Sequence, residues 1–213
     1  MARPLDLSAI SQYLEEIMPR RDPVLEEMEA RARKERFPIV GPAVGQLLYL
    51  LTRLRGARRV FEMGSGFGYS TAWFAMGVRD NGGGEVTHVV WDEALSGSAR
   101  GYLGRLGLDG IVRYRVGEAV AELGRADGTF EIIFNDINKK AYPASLPVIK
   151  SHLPSGGLMI VDNMLWSGRV LDASATDPDT EGVRELTRTV FADPEFASVL
   201  VPLRDGVVLA QRR

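Results

Sequence analysis

From residue 58 onward, short continuous apolar runs alternate with stretches of helical spacing. The runs fall at 60–63, 86–90, 112–116, 132–134, 158–161, 198–202 and 207–210, and the segments between them predict helices near 70–78, 95–106, 118–124, 141–152 and 181–191. Continuous rather than alternating apolar runs belong to strands buried on both faces, which points to a parallel sheet covered by helices on each side. Only Leu203-Arg204-Asp205-Gly206 separates the last two runs, so these should pair as an antiparallel hairpin. The N-terminal part reads differently. Leu5, Leu7, Ile10, Tyr13, Leu14 and Ile17 give a helix over 5–18 that Pro19 stops, and Pro23 reopens a helix that runs into a charged stretch at 31–36. That stretch interleaves both signs and reads as a solvated helix face rather than a basic patch. Phe37-Pro38-Ile39-Val40-Gly41-Pro42 reads as an extended loop, because two prolines break a helix, and 44–54 as an apolar helix ending near Gly56. The expected architecture is α/β: a doubly wound, seven-stranded, mostly parallel sheet over 57–213, with a C-terminal antiparallel hairpin and a helical cap over 1–56.

Within this pattern, Val60-Phe61-Glu62-Met63-Gly64-Ser65-Gly66-Phe67-Gly68-Tyr69-Ser70-Thr71 compresses a strand, a tight loop and a helix start into twelve residues. Such loops lie beyond the carboxyl ends of strands, where open α/β sheets bind ligands and a helix N-terminus presents amide N–H groups. A dinucleotide fingerprint needs G-x-G-x-x-G, and Tyr69 stands where its last glycine would be. The spacing Glu-x-Gly-x-Gly-x-Gly instead resembles the first motif of S-adenosylmethionine (SAM)-dependent methyltransferases. Glycine-rich turns also serve merely to pack a helix onto a sheet, and Glu62 suits either a cationic or hydroxyl-rich ligand or a nearby helix N-terminus.

Composition narrows the chemistry. The 213 residues suit one domain, and a net charge of −2 gives no global field for nucleic acid or an anionic membrane. There is no cysteine, which excludes disulfides, thiolate chemistry and Cys-based zinc sites, and only two histidines, His88 and His152. Any metal must therefore be held mainly by oxygen, as Mg²⁺, Mn²⁺ or Ca²⁺ are. No apolar run approaches the ~18 residues of a membrane span. The expectation is a cytoplasmic soluble enzyme with a small-molecule partner, and neither nucleic acid nor membrane.

Two later strand ends carry oxygen ligands. Asp136, in Phe134-Asn135-Asp136-Ile137-Asn138-Lys139-Lys140, follows one apolar run, and Asp162-Asn163 follows another. Taken singly, an acid at a strand end also suits a helix cap or turn. Taken together the three side chains make a candidate hard-cation site.

These residues carry a resemblance. Phe134-x-Asp136-x-x-Lys139, then Val161-Asp162-Asn163-x-Leu165-x-x-Gly168-x-Val170, resembles the metal-dependent catechol and caffeoyl-CoA-type O-methyltransferases, as do Gly45-Gln46-Leu47-Leu48, Gly68-Tyr69-Ser70, Gly117-Glu118-Ala119 and Asp205-Gly206-Val207-Val208-Leu209-Ala210. The resemblance runs from about residue 37 to the end. It implies SAM as methyl donor, a divalent metal (usually Mg²⁺), an acceptor with vicinal oxygens, and a homodimer. It further implies Asp136, Asp162 and Asn163 as metal ligands, Lys139 as general base with Asp136 beside it, and SAM contacts from Glu62, Gly64, Ser65, Gly68, Ser70, Ala119 and Asp136. The sequence departs from the family where a ribose-binding acid is expected, because Val90 stands there; Asp92, two residues on, is the candidate substitute. Asn138 replaces a second aspartate common among relatives, and Gly41-Pro42-Ala43-Val44 lacks an acid pair found in plant enzymes. A SAM-binding homologue without catalysis is the rival reading. Tyr69, Trp73, Trp91 and Trp166 either line an aromatic pocket or pack in the core.

Overall fold

The computed structural model describes residues 7–213. Residues 5 and 6 of the expected first helix lie outside them. In chain order the elements are α1 (Leu7–Glu16), α2 (Pro23–Glu35), α3 (Gly41–Arg55), β1 (Arg59–Met63), α4 (Tyr69–Asp80), β2 (Glu85–Val90), α5 (Glu93–Arg105), β3 (Val112–Val116), α6 (Ala119–Gly124), β4 (Ile132–Asn135), α7 (Tyr142–His152), β5 (Leu158–Val161), α8 (Pro178–Ala192), β6 (Phe196–Val201) and β7 (Val207–Arg212). Short 3-10 turns sit at Lys139–Ala141 and Trp166–Leu171.

The strands form one sheet in the order β3-β2-β1-β4-β5-β7-β6. The first five are parallel and β7 runs antiparallel between β5 and β6, as the hairpin requires. Strand order reverses between β1 and β4, which opens a crevice beyond their carboxyl ends.

Side-chain parity sorts the core into two faces. Val60, Val86, Ile132 and Phe134 pack with α2, α3 and α4 through Leu25, Met28, Val44, Leu48 and Phe74. Phe61, Met63, Val89, Ile133 and Met159 pack with α6, α7 and α8 through Leu123, Leu146, Ile149, Val183 and Leu186. The N-terminal helices α2 and α3 thus share a core with the sheet.

Two helices start three residues earlier than expected. Gly41 and Pro42 belong to α3 and not to the preceding loop, because proline in a first helical turn forfeits only an amide that has no helical partner. Helix α8 begins at Pro178, three residues early, because Asp177 caps it by accepting from Thr180 N at 3.0 Å.

Candidate active site

The loop from β1 to α4 turns on glycines in the left-handed region, with φ 88° at Gly64 and 51° at Gly66. A Cβ on Gly64 would lie 2.3 Å from the backbone oxygen of Asp136, so this glycine is what lets the loop touch the end of β4. Ser65 pins the loop to β2: its amide donates to Val89 O at 2.9 Å, and its Oγ accepts from Val89 N at 3.0 Å. No side chain caps α4, so its first-turn amides are left at the cavity wall that Tyr69 and Ser70 form.

Parallel registry brings the acids together. Asn135 is the partner of Val161 across β4 and β5, so the next residues, Asp136 and Asp162, leave the sheet side by side. The Asp136 amide donates to Met63 O at 2.9 Å and the Asp162 amide to Asn135 O at 3.2 Å, which extends the ladder to both. Lys139 Nζ donates to Asp136 Oδ1 at 2.7 Å and to Ile137 O at 3.1 Å. Its ammonium also stands 5.1 Å from the Tyr142 ring centre and 5.7 Å from that of Trp166.

These groups line one cavity of about 560 Å³, together with Gly64, Ser65, Gly66, Tyr69, Ser70, Val90, Trp91 and Ala119. A second cavity of about 730 Å³ lies beneath α1 and α2, and Asp162 and Asn163 belong to the walls of both. The junction of the two chambers is where those two oxygen donors stand.

Comparison with known proteins bears on this geometry. A family model described as O-methyltransferase matches residues 15–213. The chain belongs to the O-methyltransferase family. A Mycolicibacterium smegmatis protein named as an O-methyltransferase is 33% identical over 196 residues, covering 89% of this chain and 92% of that protein. Among solved structures, an O-methyltransferase from Bacillus cereus in complex with SAH (S-adenosylhomocysteine) superposes with a TM-score of 0.86 at 29% identity, covering 96% of this chain and 97% of the other. The Streptomyces achromogenes O-methyltransferase TomG, solved with SAM, gives a TM-score of 0.85 at 27% identity, with 96% of each chain covered.

Within this family member the expected donor-site residues divide. Gly64, Ser65, Ser70, Ala119 and Asp136 line the cavity. Glu62, Gly68 and Asp92 are not part of its wall. By strand parity Glu62 lies on the same face as Val60, under α4, where it is fully buried and accepts hydrogen bonds from Ser70 Oγ and Thr71 Oγ1. Burial pushes its carboxyl up to about 7, against the pull of the Ser70, Thr71 and Ser65 hydroxyls. Thr71 Oγ1 is in turn 3.0 Å from His88 Nδ1. Gly68 serves packing: a Cβ there would sit 2.8 Å from Ala99 Cβ of α5. Asp92 caps α5, accepting from Ala94 N at 2.7 Å and Leu95 N at 3.1 Å. Both donors come from its own helix and meet Oδ1, so Asp92 is a cap of α5 that stands outside the cavity wall.

At the acid pair, burial raises the carboxyls of Asp136 and Asp162; Asp136 adds to the rise at Asp162, while Lys139 and Arg204 draw both back down. Among the described residues no three His, Cys, Asp or Glu side chains are placed to hold a metal ion. The third donor has to be an amide, and Asn163 qualifies: its Nδ2 donates to Asp205 Oδ2 at 3.3 Å, which leaves Oδ1 uncommitted. Two crowded, partly buried carboxylates and an amide oxygen fit a hard divalent cation, which would relieve their mutual repulsion.

Sequence reading missed several groups. Arg204 reaches the site from the β6–β7 turn, and Phe37, Pro38 and Ile39 wall both chambers. Tyr69 OH donates to the buried Glu29 at 2.7 Å, which Arg21 holds at 2.7 and 3.1 Å. Arg184 of α8 donates to four backbone oxygens of the 169–175 loop, those of Arg169, Val170, Asp172 and Ala175. These depend on contacts between separate segments and left no local signal.

Proposed function

We propose that this protein moves a methyl group from SAM to a hydroxyl of a small acceptor with two neighbouring oxygens, of the catechol kind, and that Asp136, Asp162 and Asn163 hold a divalent cation, by preference Mg²⁺, for that reaction. The observation that carries the reading is the junction of the two chambers. A cradle of glycine-loop backbone leads to the oxygen trio, and two of the trio, Asp162 and Asn163, also wall a second chamber able to admit an acceptor.

Bound SAM supplies a methyl group on a positively charged sulfur. Asp136, Asp162 and Asn163 would hold the divalent cation, whose charge would lower the pKa of the acceptor hydroxyl. The chain's own residues do the rest. The Gly64–Gly66 backbone, the first-turn amides of α4 and Ser70 hold the donor's amino-acid end, with Glu62 fixing Ser70 from behind. Lys139 Nζ is the group that takes the acceptor's proton, and Asp136 Oδ1 holds that nitrogen in place. The new O–CH₃ bond forms as the C–S bond breaks, leaving the donor as a neutral thioether. Phe37, Pro38 and Ile39 exclude water where the chambers meet.

One observation favours the rival, a SAM-binding homologue without catalysis. Val90 presents no hydrogen-bonding side chain at the end of β2, and Asp92 caps α5 from outside the cavity wall. The ion-paired Lys139 beside two acids weighs against it, because donor binding alone has no use for that set. Methyl transfer from SAM to catechols, with Mg²⁺ and with EDTA, separates the readings. Product formed with Mg²⁺ and abolished by EDTA is expected; full activity in EDTA would remove the metal from the reading, and no product with any catechol would favour the rival.

A further inference from the structure

We propose that Asp205 is the positioning residue of the oxygen trio: it makes the Asn163 amide present its oxygen, and not its nitrogen, to a divalent cation. The proposal rests on the reading of Asp136, Asp162 and Asn163 as the cation's donors.

The two ends of a carboxamide are alike in shape and opposite in chemistry. Oδ1 has lone pairs for a hard cation, whereas Nδ2 carries two protons and has none. Which end an asparagine presents is settled by its hydrogen-bonding neighbours. At Asn163 that neighbour is Asp205, whose Oδ2 lies 3.3 Å from Nδ2. A carboxylate only accepts, so the nitrogen has to face it, and Oδ1 is the end turned away. No other group among the described residues hydrogen-bonds to the Asn163 side chain, so Asp205 alone orients it.

Asp205 is itself fixed. Its Oδ1 accepts from Ser167 N at 2.5 Å and its backbone oxygen from Leu165 N at 2.7 Å, while Gly206 O accepts from Met164 N at 2.9 Å. Gly206 has φ 83°, and a Cβ there would lie 2.9 Å from Leu165 N, so this glycine lets the β6–β7 turn come down onto the segment after Asn163. Asn163, Trp166 and Ser167 have φ of 59°, 48° and 52°, and the segment folds back around the turn. Asp205 has no ion-pair partner among the described residues; the groups that donate to its side chain are neutral amides. It walls the second chamber beside Asn163 and takes no part in the wall of the glycine-loop cavity. A fixed carboxylate one hydrogen bond behind a metal ligand is the kind of outer partner that sets the ligand's direction.

The test is Mn²⁺ calorimetry on the full chain saturated with SAH, with a urea midpoint for each variant. Asp205→Asn can still accept from Ser167 N through its own oxygen, which leaves its NH₂ facing Asn163. The Asn163 amide then has to turn its oxygen toward that NH₂ and its nitrogen toward the cation. Asp205→Asn should therefore keep most of its stability and lose about 10- to 100-fold in Mn²⁺ affinity, the usual cost of disturbing a metal ligand's outer partner. Asp205→Ala removes the same charge but leaves the amide free to turn; it should lose more stability and less Mn²⁺ affinity. The exchange Asn163→Asp/Asp205→Asn keeps the total charge and gives position 163 two oxygens, one for the new amide and one for the cation. It should recover most of the lost affinity. Affinity falling in the same order as stability, equal losses in Asp205→Asn and Asp205→Ala, undiminished affinity in Asp205→Asn, or no recovery in the folded exchange variant would overturn the proposal and leave the cation site standing. No Mn²⁺ binding by the unaltered chain would overturn the cation reading with it.

Discussion

Beyond β4 and β5 the glycine-loop cavity is walled by Asp136, Lys139, Asp162 and Asn163; beyond β2 and β3 the same cavity is walled by Val90, Trp91, Leu95, Gly117 and Ala119. Both walls grow from carboxyl ends of parallel strands in one sheet, yet one is dense with charge and the other offers no ionisable side chain. Trp91 is 71% exposed at the lip of the apolar wall, and Val116, paired with Val90, is exposed beside it. The difference shows a division of labour. The polar wall can change the protonation and direction of an oxygen, whereas the apolar wall can recognise a ligand only by shape, by stacking and through backbone groups.

The sharpest break of that contrast is on the polar wall. Lys139→Ala should lower kcat by about 10²–10⁴-fold, the usual worth of a positioned general base. It should move SAH affinity less than about threefold, and stopped-assay kinetics with calorimetry on the same preparation checks both. A comparable loss of SAH affinity would mean that Lys139 belongs to donor binding and that the two walls are not separable. On the apolar wall, Trp91→Ala should weaken SAH binding by about 5- to 100-fold, the range of base-on-aromatic stacking, while kcat at saturating SAM stays within about twofold. An unchanged SAH affinity would leave Trp91 as a surface residue and the apolar wall without an anchor.

The smallest effect concerns the buried layer behind the loop. His88 is fully buried, and burial pulls its imidazole down from the ordinary 6.5 to about 3. Below pH 6.5 the unfolded chain takes up a proton there that the folded chain refuses, so the His88 contribution is whole above 6.5 and is lost as pH falls toward 3. Glu62 works the other way: with a folded value of about 7 against 4.5, its contribution is whole below 4.5 and is lost as pH rises through 7. Between 4.5 and 6.5 the two slopes oppose each other. Urea midpoints measured from pH 4 to 7.5 should show His88→Asn losing less stability than the unaltered chain on acidification; an identical pH slope would mean that His88 is protonated in the fold.

Much of this was legible residue by residue. The strands appeared as apolar runs, the glycine turn as a run of alternating glycines, and the acids as polar stops at strand ends, because each signature is written within a few neighbouring residues. Glu62, expected as a SAM contact, shares its parity with Val60 and lies under α4, where it holds Ser70 and Thr71. Asp92, the candidate substitute for the acid missing at Val90, is the N-cap of α5. Pro42 was read as a helix breaker, although a helix tolerates proline in its first turn.

The sequence by itself determined the α/β alternation, the family motifs and the three oxygen donors, since periodicity and strand ends are local properties of the chain. Only the tertiary structure decided that Asp136 and Asp162 stand side by side, that the Gly64 loop lies against them, and that Arg204 crosses Gly41 from 163 residues away in the chain. Registry between β4 and β5, the folding back of the hairpin and the packing of α2 and α3 on the sheet bring those groups together. Such distances in space are set by the packing of the whole core, and no local stretch of sequence contains them.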